Sequence, residues 1–186
     1  MIEQKVAESR TKRGRVMKIN GAADVLAVFI ATGFGAGLIP LAPGTFGSLV
    51  GLGIAYGLIV NLRFETVALQ NALLLASLLL TWIGIWAGTR AETIFEQKDA
   101  SQIVIDEVAG QVIAFVLIAP YLAGLGGNLK WALIGGFALF RAFDIFKPFP
   151  INRLQALTGG VGVMLDDVIA GVYAAAALSL LLWVNV

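Results

Sequence analysis

The sequence predicts an all-α protein, a membrane-embedded helical bundle of about five transmembrane helices plus a re-entrant or interfacial N-terminal helix. Of its 186 residues, 59% are hydrophobic and only 13% are charged, and the mean hydropathy is +0.88, which is typical of membrane proteins. The apolar residues also gather into six segments of 16 to 23 residues, lengths that suit helices and exceed ordinary strands. Segments A to F are, in chain order, Ala22–Ile39, Thr45–Val60, Thr66–Gly88, Ile103–Ala119, Leu129–Phe146 and Val163–Val184.

Turn and breaker residues separate these segments, so that each one is read as a separate helix. The run Leu73–Leu80 in segment C shows no alternation of polar and apolar residues, which favours helix over strand. The breaks are Pro40–Gly44, Asn61–Glu65, the charged stretch Thr89–Ser101, Pro120–Asn128 and Pro148–Gly162.

The distribution of Lys and Arg predicts the orientation. If segments B to F each cross once and the N-terminal tail does not, eleven of the thirteen basic residues lie on one side, which is then expected to be cytoplasmic. A crossing by segment A would place the six bases of the tail on the opposite side. Gly33, Gly35 and Gly37 also weaken a straight helix, so segment A is predicted to be re-entrant or interfacial. A soluble bundle remains the alternative, because segment B has only 16 residues.

Length and composition predict one domain, residues 21–186, preceded by a basic cytoplasmic tail, residues 1–20. The tail has no compact apolar core followed by a small-residue cleavage site, so a cleaved signal peptide is not expected. It is interpreted either as a flexible segment or as a short helix on anionic headgroups.

The chain contains no cysteine and no histidine. This composition excludes thiolate nucleophiles, phosphohistidine chemistry, Ser-His-Asp triads and histidine-bound zinc. The phosphate-binding patterns GxxxxGK[ST] and GxGxxG are also missing from the sequence. Carboxylates, hydroxyls, Lys and Arg are the groups that remain for chemistry.

Two acidic doublets, Asp106–Glu107 and Asp166–Asp167, lie at the starts of segments D and F. Neighbouring helical residues point about 100° apart, so each doublet is predicted to offer one inward and one lateral carboxylate. A glycine, Gly110 or Gly171, follows one acid of each doublet four residues later and allows the two helices to approach closely. Oxygen ligands without His or Cys predict Mg²⁺, with Mn²⁺ as a substitute. Capping of helix N-termini is the alternative role for these acids.

Arg141, Asp144 and Lys147 lie on one stripe at the end of segment E. Arg141 and Lys147 are candidates for binding phosphate; the alternative is an internal Arg141–Asp144 pair with a snorkelling Lys147. The turn Pro43–Ser48 opens segment B, where Thr45 and backbone amides are candidates for a phosphate cradle, or simply an ordinary helix start. The glycines of Gly159–Gly162 are interpreted as flexible backbone giving access to the second doublet.

Four stretches of the sequence resemble the signatures of the phosphatidylglycerophosphatase A family, and the resemblance covers about residues 22–184. It implies Mg²⁺-dependent removal of the terminal phosphate from phosphatidylglycerophosphate, a membrane lipid, giving phosphatidylglycerol at the cytoplasmic face of a bacterial inner membrane. The stretches are Asp106–Gly110 (DEVAG), Phe140–Pro150 (FRAFDIFKPFP), Gly160–Gly171 (GVGVMLDDVIAG) and Pro43–Ser48 (PGTFGS).

These observations assign a role to each candidate residue. The expected catalytic residues are Asp106, Glu107, Asp166 and Asp167, with Glu107 or Asp167 as the general base. The same four residues and Asp144 are the expected Mg²⁺ ligands, and the alternative role for Asp144 is to orient Arg141. Arg141, Lys147 and Thr45 are expected to bind the substrate. No nucleic acid partner is expected.

Three alternative functions come from other classes. A small cation transporter or channel would also use an acidic cluster as an ion site, although its acids should lie near mid-span rather than at segment ends. A lipid-binding or assembly protein would need the apolar helices but not the acidic doublets. A CDP-alcohol phosphotransferase would carry a longer Asp-Gly-x-x-Ala-Arg pattern, which this sequence lacks.

Overall fold

The structure, a computed structural model, describes residues 19–62, 65–121, 125, 128–149, 151 and 159–185. Within these residues six α-helices and two short 3-10 turns (Ala36–Leu38 and Ala119–Tyr121) are fully described and there is no strand, so the all-α prediction is confirmed. The helices are α1 (Ala22–Ala31), α2 (Pro43–Leu62), α3 (Thr66–Phe95), α4 (Ile105–Ile113), α5 (Leu129–Phe146) and α6 (Gly160–Asn185). The predicted basic tail lies almost wholly outside the described residues, and the division at residue 20 stays a prediction.

Three of the described helices are long and apolar enough to cross a membrane: α2, α3 and, over Gly160–Val184, α6. The expected count of five transmembrane helices is not confirmed. Helix α4 has nine residues, which is about 13 Å at 1.5 Å per residue. Segment D continues beyond it as tightened turns, in which Phe115 donates to Val112 and Ile118 to Phe115. A hydropathy pattern cannot separate such a buried core segment from a continuous spanning helix.

Segment A forms a ten-residue helix followed by a tight turn. Gly33, Phe34 and Gly35 all have positive φ angles, so the backbone leaves the helical conformation there. The glycine-rich stretch therefore prevents a straight spanning helix, as predicted. Its re-entrant or interfacial placement stays a prediction.

An ion pair ties α1 to α3. The buried Asp24 accepts a hydrogen bond from Arg90 Nε at 2.5 Å and another from the Asn20 backbone N–H at 2.7 Å. The pair joins the two helices near the end of α3.

Helix α4 is the core of the fold. Eight of its nine residues are buried, and it packs against α2, α3 and α6. Large apolar side chains remain exposed on the outer faces, for example Leu78 and Trp82 on α3 and Trp183 on α6. Extended apolar surface of this kind indicates contact with lipid.

Glycines set the spacing around α4. A Cβ atom at Gly110 would lie 2.6 Å from the Asp167 backbone oxygen, and one at Gly171 would collide with the Gly110 backbone oxygen. The close approach of α4 and α6 that the two glycines predicted is therefore present. Gly160, expected to be flexible, instead opens α6, where its N–H donates to Thr89 Oγ1 at 2.9 Å and a Cβ would meet the Ile85 carbonyl of α3.

Candidate active site

A cavity of about 410 Å³ opens where α2, α4 and α6 begin and α5 ends. All eight residues that the sequence nominated for the site line it: Thr45, Asp106, Glu107, Arg141, Asp144, Lys147, Asp166 and Asp167. The cavity also contains a residue that sequence reasoning missed, Asp99. Asp99 lies in the charged stretch after α3, where no apolar periodicity marks its position.

Three carboxylates form the centre of this cavity. Asp106, Glu107 and Asp167 each present an oxygen, and these oxygens lie within 4.8 Å of one another. Asp106 and Glu107 belong to the first turn of α4. Asp167 belongs to α6, and the close contact between α4 and α6 brings it near the other two acids. Three carboxylates at this separation repel one another unless a cation or protons neutralise them.

The donor set of this trio fits a divalent cation. Asp106 Oδ1 and Glu107 Oε2 are buried and have no hydrogen-bond partner among the described residues. Buried polar atoms normally have a partner, and carboxylate oxygens are the ligands that hard cations prefer. Asp106 and Glu107 lie in the first turn of α4, where negative charge is stabilised, but no cap hydrogen bond from a side chain is found at α4.

Asp166 and Asp144 lie outside the trio because each pairs with a base. Lys147 Nζ lies 2.6 Å from Asp166 Oδ2, and Arg141 Nη1 lies 2.7 Å from Asp144 Oδ2. The second doublet thus points one acid at the trio and one to the side, as predicted. The first doublet does not follow that prediction, since both of its acids join the trio.

The end of α5 places Lys147 beside Asp166. Lys147 adopts a left-handed backbone conformation (φ 42°) and its N–H donates to the Phe143 carbonyl, which closes the helix before Pro148. Burial by itself would lower the pKa of Lys147, but the hydrogen bond to Asp166 and the charge of that carboxylate raise the pKa above its ordinary value. Lys147 is therefore held as a cation and does not simply snorkel to the surface.

The Arg141–Asp144 pair was the alternative reading for the end of α5, and it is present. Arg141 makes a further contact that the sequence did not predict. Its Nη1 donates to Ser48 Oγ of α2 at 3.2 Å. Ser48 was part of the Pro43–Ser48 motif, but no role was assigned to it.

The start of α2 differs from the predicted phosphate cradle. The N–H groups of Thr45 and Phe46 both point to the Ala42 carbonyl, at 3.0 and 3.4 Å, so they are already engaged. Instead, the absence of a side chain at Gly44 in this turn leaves room for Glu107 and Arg141. A Cβ at Gly44 would collide with Glu107 Oε1 and lie 3.3 Å from Arg141 Nη1.

Comparison with known proteins decides the family. The family model described as phosphatidylglycerophosphatase A matches residues 29–182. The chain belongs to the phosphatidylglycerophosphatase A family. It is therefore a phosphatase, and the resemblance drawn from its sequence motifs is confirmed. No solved structure matches the chain significantly.

Three curated relatives support this membership. A Bacteroides thetaiotaomicron protein named putative phosphatidylinositol-3-phosphatase is 39% identical over 86% of this chain and 95% of its own length. The phosphatidylglycerophosphatase A of Haemophilus influenzae is 36% identical over 78% of this chain and 82% of its own length. The Escherichia coli phosphatidylglycerophosphatase A is 32% identical over 80% and 79%.

Proposed function

We propose that the chain is a Mg²⁺-dependent lipid phosphatase that hydrolyses the terminal phosphomonoester of phosphatidylglycerophosphate to phosphatidylglycerol in phospholipid biosynthesis. The observation that carries this proposal is the meeting of the Asp106–Glu107–Asp167 trio with Arg141 and Lys147 in one cavity. Carboxylates suit a divalent ion and the two bases suit a phosphate, so the cavity has complementary charge for a metal-bound phosphomonoester. The names of the H. influenzae and E. coli relatives support this lipid.

The trio is the proposed ligand set for Mg²⁺, with Asp144 and Asp166 as outer acids that orient Arg141 and Lys147. When bound, the ion would act as a Lewis acid on the phosphate and neutralise charge that develops during its transfer. Of the five acids predicted as ligands, the three in the trio are supported by their mutual distance. Asp144 and Asp166 each contact a basic partner through Oδ2, and Asp166 Oδ1 is buried with no hydrogen-bond partner among the described residues. Ligation by Asp166 through Oδ1 would therefore leave its ion pair with Lys147 intact.

The residues of the chain supply binding and proton transfer. Arg141 and Lys147 bind the phosphate oxygens, and Thr45, which lines the same cavity, is a further candidate for substrate binding through its hydroxyl. Water attacks phosphorus, the bond from phosphorus to the glycerol oxygen breaks, and the released alkoxide takes up a proton. Glu107 or Asp167 accepts the proton of the attacking water.

The chain is proposed to cross a bacterial inner membrane five times, with the cavity on the cytoplasmic side. Helices α2, α3, α5 and α6 make four crossings. The remaining crossing is made by α4 and the tightened turns that continue it to residue 121. Irregular backbone at membrane depth is tolerated where protein covers it, and Phe115, Ile118 and Ala119 are buried. Among the described bases, Arg90, Lys98, Arg141 and Lys147 lie near or just after the ends of α3 and α5, whereas Lys130 lies at the start of α5, and this asymmetry supports the orientation.

A second candidate substrate is phosphatidylinositol-3-phosphate, because the relative from B. thetaiotaomicron carries that name. Both lipids present a phosphomonoester on a membrane-anchored alcohol, so the same cavity chemistry would serve either. They differ in the alcohol that leaves, a glycerol in one and an inositol ring in the other.

The test is phosphate release by the purified chain in detergent micelles containing one lipid at a time. We expect release from phosphatidylglycerophosphate with Mg²⁺, no release with EDTA, and recovery when Mg²⁺ is added back. Faster phosphate release from phosphatidylinositol-3-phosphate than from phosphatidylglycerophosphate would make phosphatidylinositol-3-phosphate the proposed substrate instead. Release from neither lipid, or release that EDTA does not change, would contradict the proposal.

A further inference from the structure

We infer that Ser48 is a positioning residue for the phosphate-binding Arg141. The inference rests on the proposed role of Arg141 and extends it to a residue that does not line the cavity. The contact between Arg141 Nη1 and Ser48 Oγ joins α5 to α2 across 93 positions of the chain. It is therefore a tertiary contact that local helix chemistry does not require.

The Ser48 hydroxyl is arranged to accept a hydrogen bond from Arg141. Ser48 is fully buried, and its Oγ donates its own hydrogen to the Gly44 carbonyl one turn earlier, at 2.9 Å. A hydroxyl has one hydrogen and two lone pairs, so this back-bond commits the donor and leaves the oxygen as an acceptor. The guanidinium group has only donors, which makes the two groups complementary.

Two acceptors then fix the Arg141 side chain from different helices. Nη1 carries two hydrogens, and its two contacts are Asp144 Oδ2 on its own helix and Ser48 Oγ on α2. A single contact would allow the guanidinium plane to rotate about that bond. Two contacts in different directions define the plane, which matters because arginine binds phosphate through a planar fork of N–H groups.

The surroundings of Ser48 explain why this contact forms at that position. Gly44 and Gly47 precede Ser48 on α2, and a Cβ would collide with Glu107 of α4 at Gly44 and with Val104, the residue before α4, at Gly47. The missing side chain at Gly44 leaves room for Arg141 Nη1, which would lie 3.3 Å from a Cβ there. Ser48 is thus the polar group that meets Arg141 next to these small residues.

The chain offers a matched control in Ser77. Ser77 is also buried, lies inside helix α3, and donates to the carbonyl one turn earlier (Leu73, 2.7 Å). It does not line the cavity. Replacing either serine with alanine removes a buried, back-bonded hydroxyl, but only Ser48→Ala removes an acceptor from Arg141.

The experiment measures binding of inorganic phosphate to the full-length chain in detergent with Mg²⁺ present, using titration calorimetry. For Ser48→Ala we expect the dissociation constant to rise about tenfold, which is about 1.4 kcal/mol, whereas Ser77→Ala should match the wild type. Ser48→Thr, which retains the hydroxyl, should recover most of the affinity. In an Arg141→Ala background, Ser48→Ala should cause no further loss, because the group it positions is gone.

Activity on phosphatidylglycerophosphate then separates this inference from the proposed function. We expect Ser48→Ala to raise KM about tenfold and to change kcat less than about threefold, since one contact that orients a binding group is lost. A wild type that binds phosphate with the expected Ser48 dependence but does not hydrolyse the lipid would refute the proposed substrate and leave the inference standing. Equal phosphate affinity in Ser48→Ala and Ser77→Ala, additive losses with Arg141→Ala, or no phosphate binding by the wild type would overturn the inference.

Discussion

Gly171 of α6 lies directly against the backbone oxygen of Gly110 of α4, so closely that a methyl group at residue 171 would collide with it. This contact joins the two helices that carry the acidic trio. Asp106 is four residues before Gly110, and Asp167 is four residues before Gly171, so each acid lies one helical turn from the contact. The distance between the two glycines therefore helps to set the distance between the two acids.

Gly171→Ala should separate α4 from α6 and weaken the site. We expect a loss of about 1–3 kcal/mol in the free energy of unfolding, as for other overpacked interiors, and a fall in kcat/KM of at least about tenfold, because small displacements of catalytic groups are costly. Denaturant titration and phosphate release measure the two effects.

Gly53→Ala on α2 is the control for this prediction, because a Cβ there meets nothing within 4 Å. Alanine favours helix over glycine by about 0.5–1 kcal/mol, so Gly53→Ala should be neutral or slightly stabilising and fully active. Equal behaviour of the two variants would mean that the α4–α6 contact does not position the acids.

Asp167→Asn should reduce turnover at least about 100-fold, because the amide keeps the shape of the side chain but loses the charge of a proposed metal ligand. The Mg²⁺ concentration needed for half-maximal activity should rise as well. Asp24→Asn is the matched control, since Asp24 is equally buried but pairs with Arg90 away from the cavity. Wild-type turnover in Asp167→Asn would show that Asp167 is not a metal ligand required for catalysis.

The Asp24 ion pair predicts a pH-dependent contribution to stability. The Asn20 backbone N–H and then the Arg90 guanidinium lower the pKa of Asp24 below its ordinary value. A lowered pKa in the folded state means that the stabilisation is present above the ordinary pKa of about 4 and is lost as the pH falls through the folded value. Asp24→Asn should therefore have a lower melting temperature than the wild type near pH 7.

The melting-temperature difference between the two proteins should shrink as the pH is lowered from about 5 to 3, where unpaired aspartates become protonated. Thermal unfolding in detergent across this range provides the measurement. A difference that stays constant with pH would show that the carboxylate charge of Asp24 contributes nothing to the stability of the fold.

Lys147→Met should destabilise the fold, because it leaves the buried Asp166 carboxylate without its cationic partner. Removing one member of a buried pair typically costs about 3–5 kcal/mol, and partial exposure of Lys147 places the expected loss at the lower end of that range. Lys147→Arg should retain much of the stability. Lys130→Met, at an exposed lysine beside Trp131, is the control and should change little. A loss no larger than that of Lys130→Met would refute a structural role for the Lys147–Asp166 pair.

Much of the fold followed from the sequence because the signals were strong and local. Each of the six segments contains a helix, α1 to α6 in chain order, although α1 and α4 are shorter than segments A and D and α3 runs seven residues beyond its predicted end, to Phe95. The length of α4 was not predictable, because a buried core helix and a spanning helix have the same apolar composition. Phe115 and Ile118, just beyond α4, are buried, so the segment stays in the core after its regular helix ends at Ile113.

The sequence by itself determined which chemistry the protein has available. It has carboxylates, Arg and Lys without His or Cys, and the acidic doublets stand near the starts of two apolar segments, with a glycine that permits close packing four residues after one acid of each doublet. Those features are local, because residue type and spacing along the chain fix them independently of how the helices pack.

Only the tertiary structure decided how the charges are divided between partners. It brings both acids of the first doublet and only Asp167 of the second into the trio. It also pairs Asp166 with Lys147 and Asp144 with Arg141. It also places Ser48 beside Arg141. These pairings depend on the rotation of each helix about its axis, and packing between helices, of α4 against α2 and α6 and of α5 against α6, sets that rotation, which no single helix encodes alone.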